Sequence, residues 1–251
     1  MNVNEKRAAV NPESLNVPAI LRRWGLTPDK RLGQNVLIQS GGLKKVVEAA
    51  DPGCQDVVLE IGPGLGSLTR LLAQAACRVV AVEFDSRLIS PLEEILMGCE
   101  NVELVQGDIL ELDLADLMSN ALKACRQSTY LVAANIPYYI TSNLIRRLLE
   151  APITPARMVL TLQLEVAQRI CAGPGEMSLL GLSVQVYGSP RICAHLPCGA
   201  FYPSPEVNSA VVRIDLFDRP LIDDELRPLF FRLAKAGFAH KRKMLRNALA
   251  S

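Results

Sequence analysis

Apolar residues fall into short runs, each closed by a polar or glycine-bearing turn and followed by a stretch of helical periodicity. Val57-Val58-Leu59-Glu60-Ile61, Arg78 to Glu83, Val102 to Val105, Tyr130 to Ala134 and Arg157 to Leu162 have the length and β-branched content of buried strands. Between them, Ser67 to Ala76, Ser86 to Met97, Leu114 to Ala124, Ser142 to Glu150 and Leu164 to Cys171 read as helices. Upstream, Leu43, Val46, Val47 and Ala50 share one helical face, and Pro18 to Trp24 starts a short helix that Gly25 ends. Strands alternating with helices predict a doubly wound, mostly parallel α/β sheet. The β-branched stretch Ser209 to Ile214 is expected to pair at the far side of that sheet. From Phe217 the pattern turns helical, broken at Pro220 and Pro228, as at the start of a second domain. The predicted division is an N-terminal extension over 1–29, an α/β domain over 30–217 and the start of a helical domain over 218–251.

Composition narrows the class without deciding the chemistry. With 251 residues, 49% hydrophobic and 21% charged, the chain can bury a sizeable core. A formal net charge of +1 means that any nucleic-acid surface must be local. Seven cysteines, scattered and with no CxxC pair, predict free thiols and a cytoplasmic protein. No run approaches the roughly eighteen apolar residues of a membrane span.

The candidate chemistry sits where the apolar runs end, because ligands of open α/β sheets bind at the carboxyl edge of the strands. After the first run, Gly62-Pro63-Gly64-Leu65-Gly66 lets the backbone approach a ligand at a helix N-terminus. Its spacing is not G-x-G-x-x-G, and Pro63 lacks the N–H that a pyrophosphate would want. A carboxylate-bearing ligand without phosphates fits better; a merely tight turn is the plain alternative. Glu83, roughly twenty residues on, can accept from both ribose hydroxyls, and Asp108 can accept from an adenine amine. Together these point to S-adenosylmethionine. The fourth run ends in Asn135-Ile136-Pro137-Tyr138, which offers an amide, a fixed turn and an aromatic face for a planar ring bearing an amine. Acceptors at the Asn135 side chain and the Ile136 carbonyl can hold an exocyclic amine in line with an electrophilic methyl group. No strong base is required.

These motifs, in order, resemble the ribosomal RNA adenine dimethyltransferase family. The resemblance rests on Lys30-Arg31-Leu32-Gly33-Gln34-Asn35 with Leu37, Glu60 to Gly66, Glu83, Gly107-Asp108, Asn135 to Tyr138, Gln163 to Ala167, Phe201 to Pro205, Ser209 to Val212, and Lys241-Arg242-Lys243 before Leu245-Arg246-Asn247. It covers about residues 30 to 250. It implies a Rossmann-like S-adenosylmethionine-dependent methyltransferase sheet with a small C-terminal helical domain, here truncated or reduced after Ser251. It implies donor contacts at Asn35, Leu37, Gly62, Gly64, Glu83, Asp108 and Asn135, and a target-base pocket of Asn135, Pro137 and Tyr138. The family often has an aromatic residue where Val36 stands.

The implied reaction is dimethylation of the N6 amines of two adjacent adenines near the 3′ end of small-subunit rRNA. The implied partner is a 30S-type particle met by a monomer. The rivals are a large-subunit adenine methyltransferase of the macrolide-resistance type and a non-catalytic assembly factor. Lys30, Arg31, Lys241, Arg242, Lys243 and Arg246 are the expected phosphate contacts. No metal is expected: Cys193, His195 and Cys198 fall short of a zinc ligand set and are read as structural cysteines with a turn histidine.

Overall fold

The computed structural model describes residues 15–29 and 32–239. Its core is a seven-stranded sheet in the order β4-β3-β2-β5-β6-β9-β7. The parallel strands are β2 (Val57–Ile61), β3 (Arg78–Glu83), β4 (Val102–Gln106), β5 (Leu131–Asn135) and β6 (Arg157–Gln163). Each coincides, within about a residue, with an apolar run read from the sequence, because a strand covered on both faces needs no alternation.

Helices cover both faces. Val57, Leu59 and Ile61 face a core that includes Met118 and Leu122 of α5 (Leu114–Cys125) and Leu144 and Leu148 of α6 (Thr141–Leu149). Val58 faces the other core, with Val46 of α2 (Ser40–Ala50), Leu72 of α3 (Ser67–Ala75), Leu92 of α4 (Ile89–Ile95) and Leu21 of α1 (Val17–Arg23). Helix α5 starts cleanly because the Asp113 side chain accepts from Ala115 N–H and Asp116 N–H, satisfying two unpaired donors of its first turn.

Several expectations change. β9 (Ser209–Leu216) does pair at the far side of the sheet, but a further strand, β7 (Gly188–Leu196), lies beyond it, and β9 is antiparallel to both β6 and β7. β7 takes the edge, and only Gly188 and Leu196 of it are buried, so no apolar run announced it. His195 sits on that strand opposite Ala210, not in a turn. The basic, glycine-broken motif that ends at Leu37 reads in the sequence as an arm over the site rather than a core element, yet its end joins the core: β1 (Val36–Leu37) pairs antiparallel with β8 (Phe201–Tyr202), and Leu37 is buried. Two short helices, α7 (Leu164–Cys171) and the unforeseen α8 (Leu179–Gln185), pack against each other and β7. The last described element is α9 (Arg227–Ala239).

The thiols are not all free. Cys77, just after α3, is bonded to Cys125 at the end of α5, 48 residues away, with Cα atoms 6.4 Å apart. The two positions meet because α3 and α5 flank β3, the strand that Cys77 leads into. Cys54, Cys99, Cys171, Cys193 and Cys198 are free.

Candidate active site

Strand register brings the tips together. Ile61 is level with Val82 and Ala134, Glu83 with Gln106, and Asn135 with Thr161. Partners in a parallel pair share a face, so Glu60 and Glu83 project to the same side as Asn135 and Thr161, the side covered by α2, α3 and the arm. There they line one cavity with Gly62, Gly64, Asp108, Pro137, Asn35 and Leu37.

The glycine loop holds its shape because Gly62 and Gly64 have φ of 70° and 61°, a region that costs other residues energy. The Gly64 N–H donates to Glu83 Oε2 at 3.1 Å, and the Asp85 N–H donates to Oε1 at 2.9 Å. These bonds fix the Glu83 carboxylate yet leave lone pairs on each oxygen. Burial raises its pKa, and the backbone donors oppose that rise. Asp108 Oδ1 accepts from the Leu110 N–H at 2.8 Å, which sets the turn after β4.

Glu60, quoted in the sequence motif but given no role there, is the most perturbed acid. It is 1% exposed, and burial lifts its pKa to about 8, with the Thr69 hydroxyl opposing and Glu83 adding to the rise. Its Oε2 has no hydrogen-bond partner, nor does the buried Thr161 Oγ1. Orphaned acceptors this deep cost stability unless a ligand satisfies them. Four acidic side chains (Glu60, Glu83, Asp85 and Asp108) line the cavity, and among the described lining residues there is no lysine or arginine. Such a wall disfavours phosphates and suits a ligand with positive charge and hydroxyl or amine donors. No metal-binding cluster occurs among the described residues.

The arm closes the cavity through two latches. Asn135 Nδ2 donates to the Asn35 backbone oxygen at 2.7 Å, and this bond turns the Asn135 carbonyl oxygen, an acceptor, the other way. Gln34 Nε2 donates to Asp85 Oδ2 at 2.7 Å, while Gln34 Oε1 accepts from the Asp29 N–H. The Arg87 guanidinium beside Asp85 holds that carboxyl below the usual range, so the latch stays ionised. Val36 stands beside Gly64, where it lines the cavity with an aliphatic rather than an aromatic wall.

All the sequence-predicted donor residues therefore converge. Pro137 joins them, and the Tyr138 backbone begins a 3-10 turn, Tyr138–Ile140, but the Tyr138 side chain lies outside what the structure describes. So do Lys30, Arg31, Lys241, Arg242, Lys243 and Arg246. Sequence reasoning missed Glu60, Gln34, Asp85, Tyr139 and Thr161. Burial or pairing distinguishes the first three and Thr161 from ordinary polar residues, and Tyr139 is marked only by its place on the cavity wall.

A second hollow lies between α6, α8 and α9. Arg146, Arg169, Arg227, Arg232 and Lys235 line it, against Glu150 and Asp224. Arg146 pairs with Glu150, and Arg227 pairs with Asp224 and stacks over Tyr187. Excess positive charge remains at Arg169, Arg232 and Lys235.

Comparison with known proteins gives the family and the fold. A model of the family described as ribosomal RNA adenine dimethylase matches residues 26–251. The chain is similar to the ribosomal RNA small subunit methyltransferase A of Dehalococcoides mccartyi, 43% identical over 92% of this chain and 77% of the relative. The protein of the same name from Moorella thermoacetica is 42% identical over 93% and 82%. Among solved structures, a dimethyladenosine transferase from Plasmodium falciparum aligns with a TM-score of 0.74 at 28% identity, covering 86% of this chain and 75% of that one. The 23S rRNA methyltransferase ErmE aligns at 0.73 and 28%, covering 86% and 84%.

Proposed function

The chain belongs to the ribosomal RNA adenine dimethylase family, and from that premise we propose that it transfers methyl groups from S-adenosylmethionine to the N6 amines of two adjacent adenines near the 3′ end of small-subunit rRNA. The observation that carries this reading is the cavity at the strand tips, lined by acidic side chains with no described cation and bordered by Asn135. A sulfonium with an ammonium tail, a ribose and an adenine matches that wall. Glu83 accepts from the ribose hydroxyls, Asp108 from the adenine amine, and Gly62 and Gly64 let the methionine end approach the backbone. Glu60, whose Oε2 is unpartnered, takes the ammonium group. Asn35 and Leu37 close the arm over the donor.

On the target side, Asn135 Oδ1 and the Ile136 carbonyl accept the two N–H groups of the adenine amine. They hold its nitrogen in line with the methyl carbon, with Pro137 and Tyr138 walling the ring. The nitrogen–carbon bond forms as the carbon–sulfur bond breaks, the electron pair staying on sulfur. The amine's proton then leaves to solvent. A second round on the monomethylated nitrogen gives the N6,N6-dimethyl product. No base is needed, because the nitrogen becomes acidic only as the methyl arrives.

The small-subunit target is supported by relatives named for that substrate at 42–43% identity. Lys30, Arg31, Lys241, Arg242, Lys243 and Arg246 are proposed phosphate contacts, and so, independently, is the cationic hollow lined by Arg169, Arg232 and Lys235. Residues 218–251 then begin an RNA-binding helical part, and the protein works as a cytoplasmic monomer. No helix among the described residues is long and apolar enough to cross a membrane.

The test is Asn135→Ala. With undermethylated small subunits, kcat is expected to fall at least about a hundredfold, while binding to the particle persists. Full activity would remove the proposed centre. Mapping methylated adenines on purified 30S and 50S particles decides the target, and label on 50S alone would reverse the choice.

A further inference from the structure

Tyr139 is 62% exposed, although it lines the mouth of the catalytic cavity. Its chain position is held from two sides. The Ile140 N–H donates to the Pro137 oxygen at 3.2 Å, closing the turn. A Cβ built on Gly33 of the arm would stand 3.6 Å from Tyr139 Cδ1 and 3.4 Å from Pro137 Cβ, so the arm packs against the ring's foot. Asp108 lines the same cavity, and partial burial together with its carboxylate raises the pKa of the Tyr139 hydroxyl. The result is a braced aromatic ring, its body in solvent, beside the pocket that takes one base.

An adenine whose amine must reach Asn135 has to leave its stack, and the nucleotide next to it then loses a stacking partner. We propose that Tyr139 is a substrate-positioning residue whose exposed face stacks the base adjacent to the target adenine, holding the second of the two adenines while the first is methylated. This rests on the RNA adenine reading above. A base on an aromatic side chain is worth enough to change affinity about five- to hundredfold. The platform is sequence-tolerant in principle, but a purine covers the ring better than a pyrimidine, so the stack favours a purine neighbour.

The experiment uses the full chain, undermethylated small subunits as substrate, and calorimetry with S-adenosylhomocysteine as the donor-site probe. Tyr139→Ala should raise KM for the particle about five- to hundredfold and leave affinity for the probe unchanged. Tyr139→Phe should stay within about twofold of the parent in both. Replacing the neighbouring adenine by uridine in the rRNA should raise KM for the parent and add little in Tyr139→Ala, since the stack is already gone. An unchanged KM in Tyr139→Ala, a loss of probe binding in it, or an undiminished uridine penalty each overturns the proposal. The last two would assign the ring to the donor wall or to no base contact. Asn135→Ala run in parallel separates the two levels: if it remains active, the reading of the centre fails whatever Tyr139 does.

Discussion

Glu60→Gln tests the electrostatics of the cavity most directly. The carboxyl is buried on the interior strand β2, and its pKa is raised from 4.5 to about 8. Below pH 4.5 the folded and unfolded chains both carry the proton, and the group costs nothing. Between pH 4.5 and 8 the unfolded chain ionises while the folded one does not, so stability falls by about 1.4 kcal/mol per pH unit. At pH 7 the accumulated cost is about 3 kcal/mol, and above pH 8 it levels off. Glutamine keeps the shape and removes the titration. Urea unfolding of the ligand-free protein from pH 5 to 8 should show the parent losing stability with pH relative to Glu60→Gln, the two diverging by about 3 kcal/mol at pH 7. Affinity for S-adenosylmethionine should move the opposite way, because the bound ammonium group favours ionisation of Glu60 and glutamine cannot supply that charge. The variant would then be the more stable protein and the weaker donor binder. Parallel pH profiles would refute the reasoning, since Glu60 would then titrate like an exposed acid.

Other perturbations follow from single contacts. Gln34→Ala removes the bond to the ionised Asp85 and should weaken donor binding by about tenfold, measured by calorimetry, with little change in global stability. Without reductant, Cys77→Ser should lower unfolding stability by about 2–4 kcal/mol through loss of the bond to Cys125, and reductant should erase the difference between variant and parent. Arg232→Glu with Lys235→Glu should weaken binding to small subunits and flatten its salt dependence, while donor affinity stays unchanged.

The parallel strands, their tips and the order of chemistry along them are written in the sequence. A strand buried on both faces must be apolar along its whole length, so the polar residue that closes it stands out. Glu83 and Asn135 are visible for that reason, Asp108 because Gly107-Asp108 ends the half-buried edge strand β4, and Gly62 and Gly64 because a left-handed backbone needs glycine. β7 left no comparable mark, since its residues alternate between half-buried and exposed and Pro190 interrupts them.

Burial and long-range pairing were decided only in three dimensions. Glu60 and Glu83 are the same letter at strand ends, yet Gly64 and Asp85 N–H groups satisfy one while Oε2 of the other has no partner. Gln34 finds Asp85, and Asn135 finds the Asn35 carbonyl, across 51 and 100 residues. Cys77 and Cys125 meet because helices from different parts of the chain flank one strand. A residue's type fixes what it can donate, accept or ionise. Only the packing around it fixes which of these it is left to do, because desolvation and partner distance are properties of neighbours that the chain brings from elsewhere.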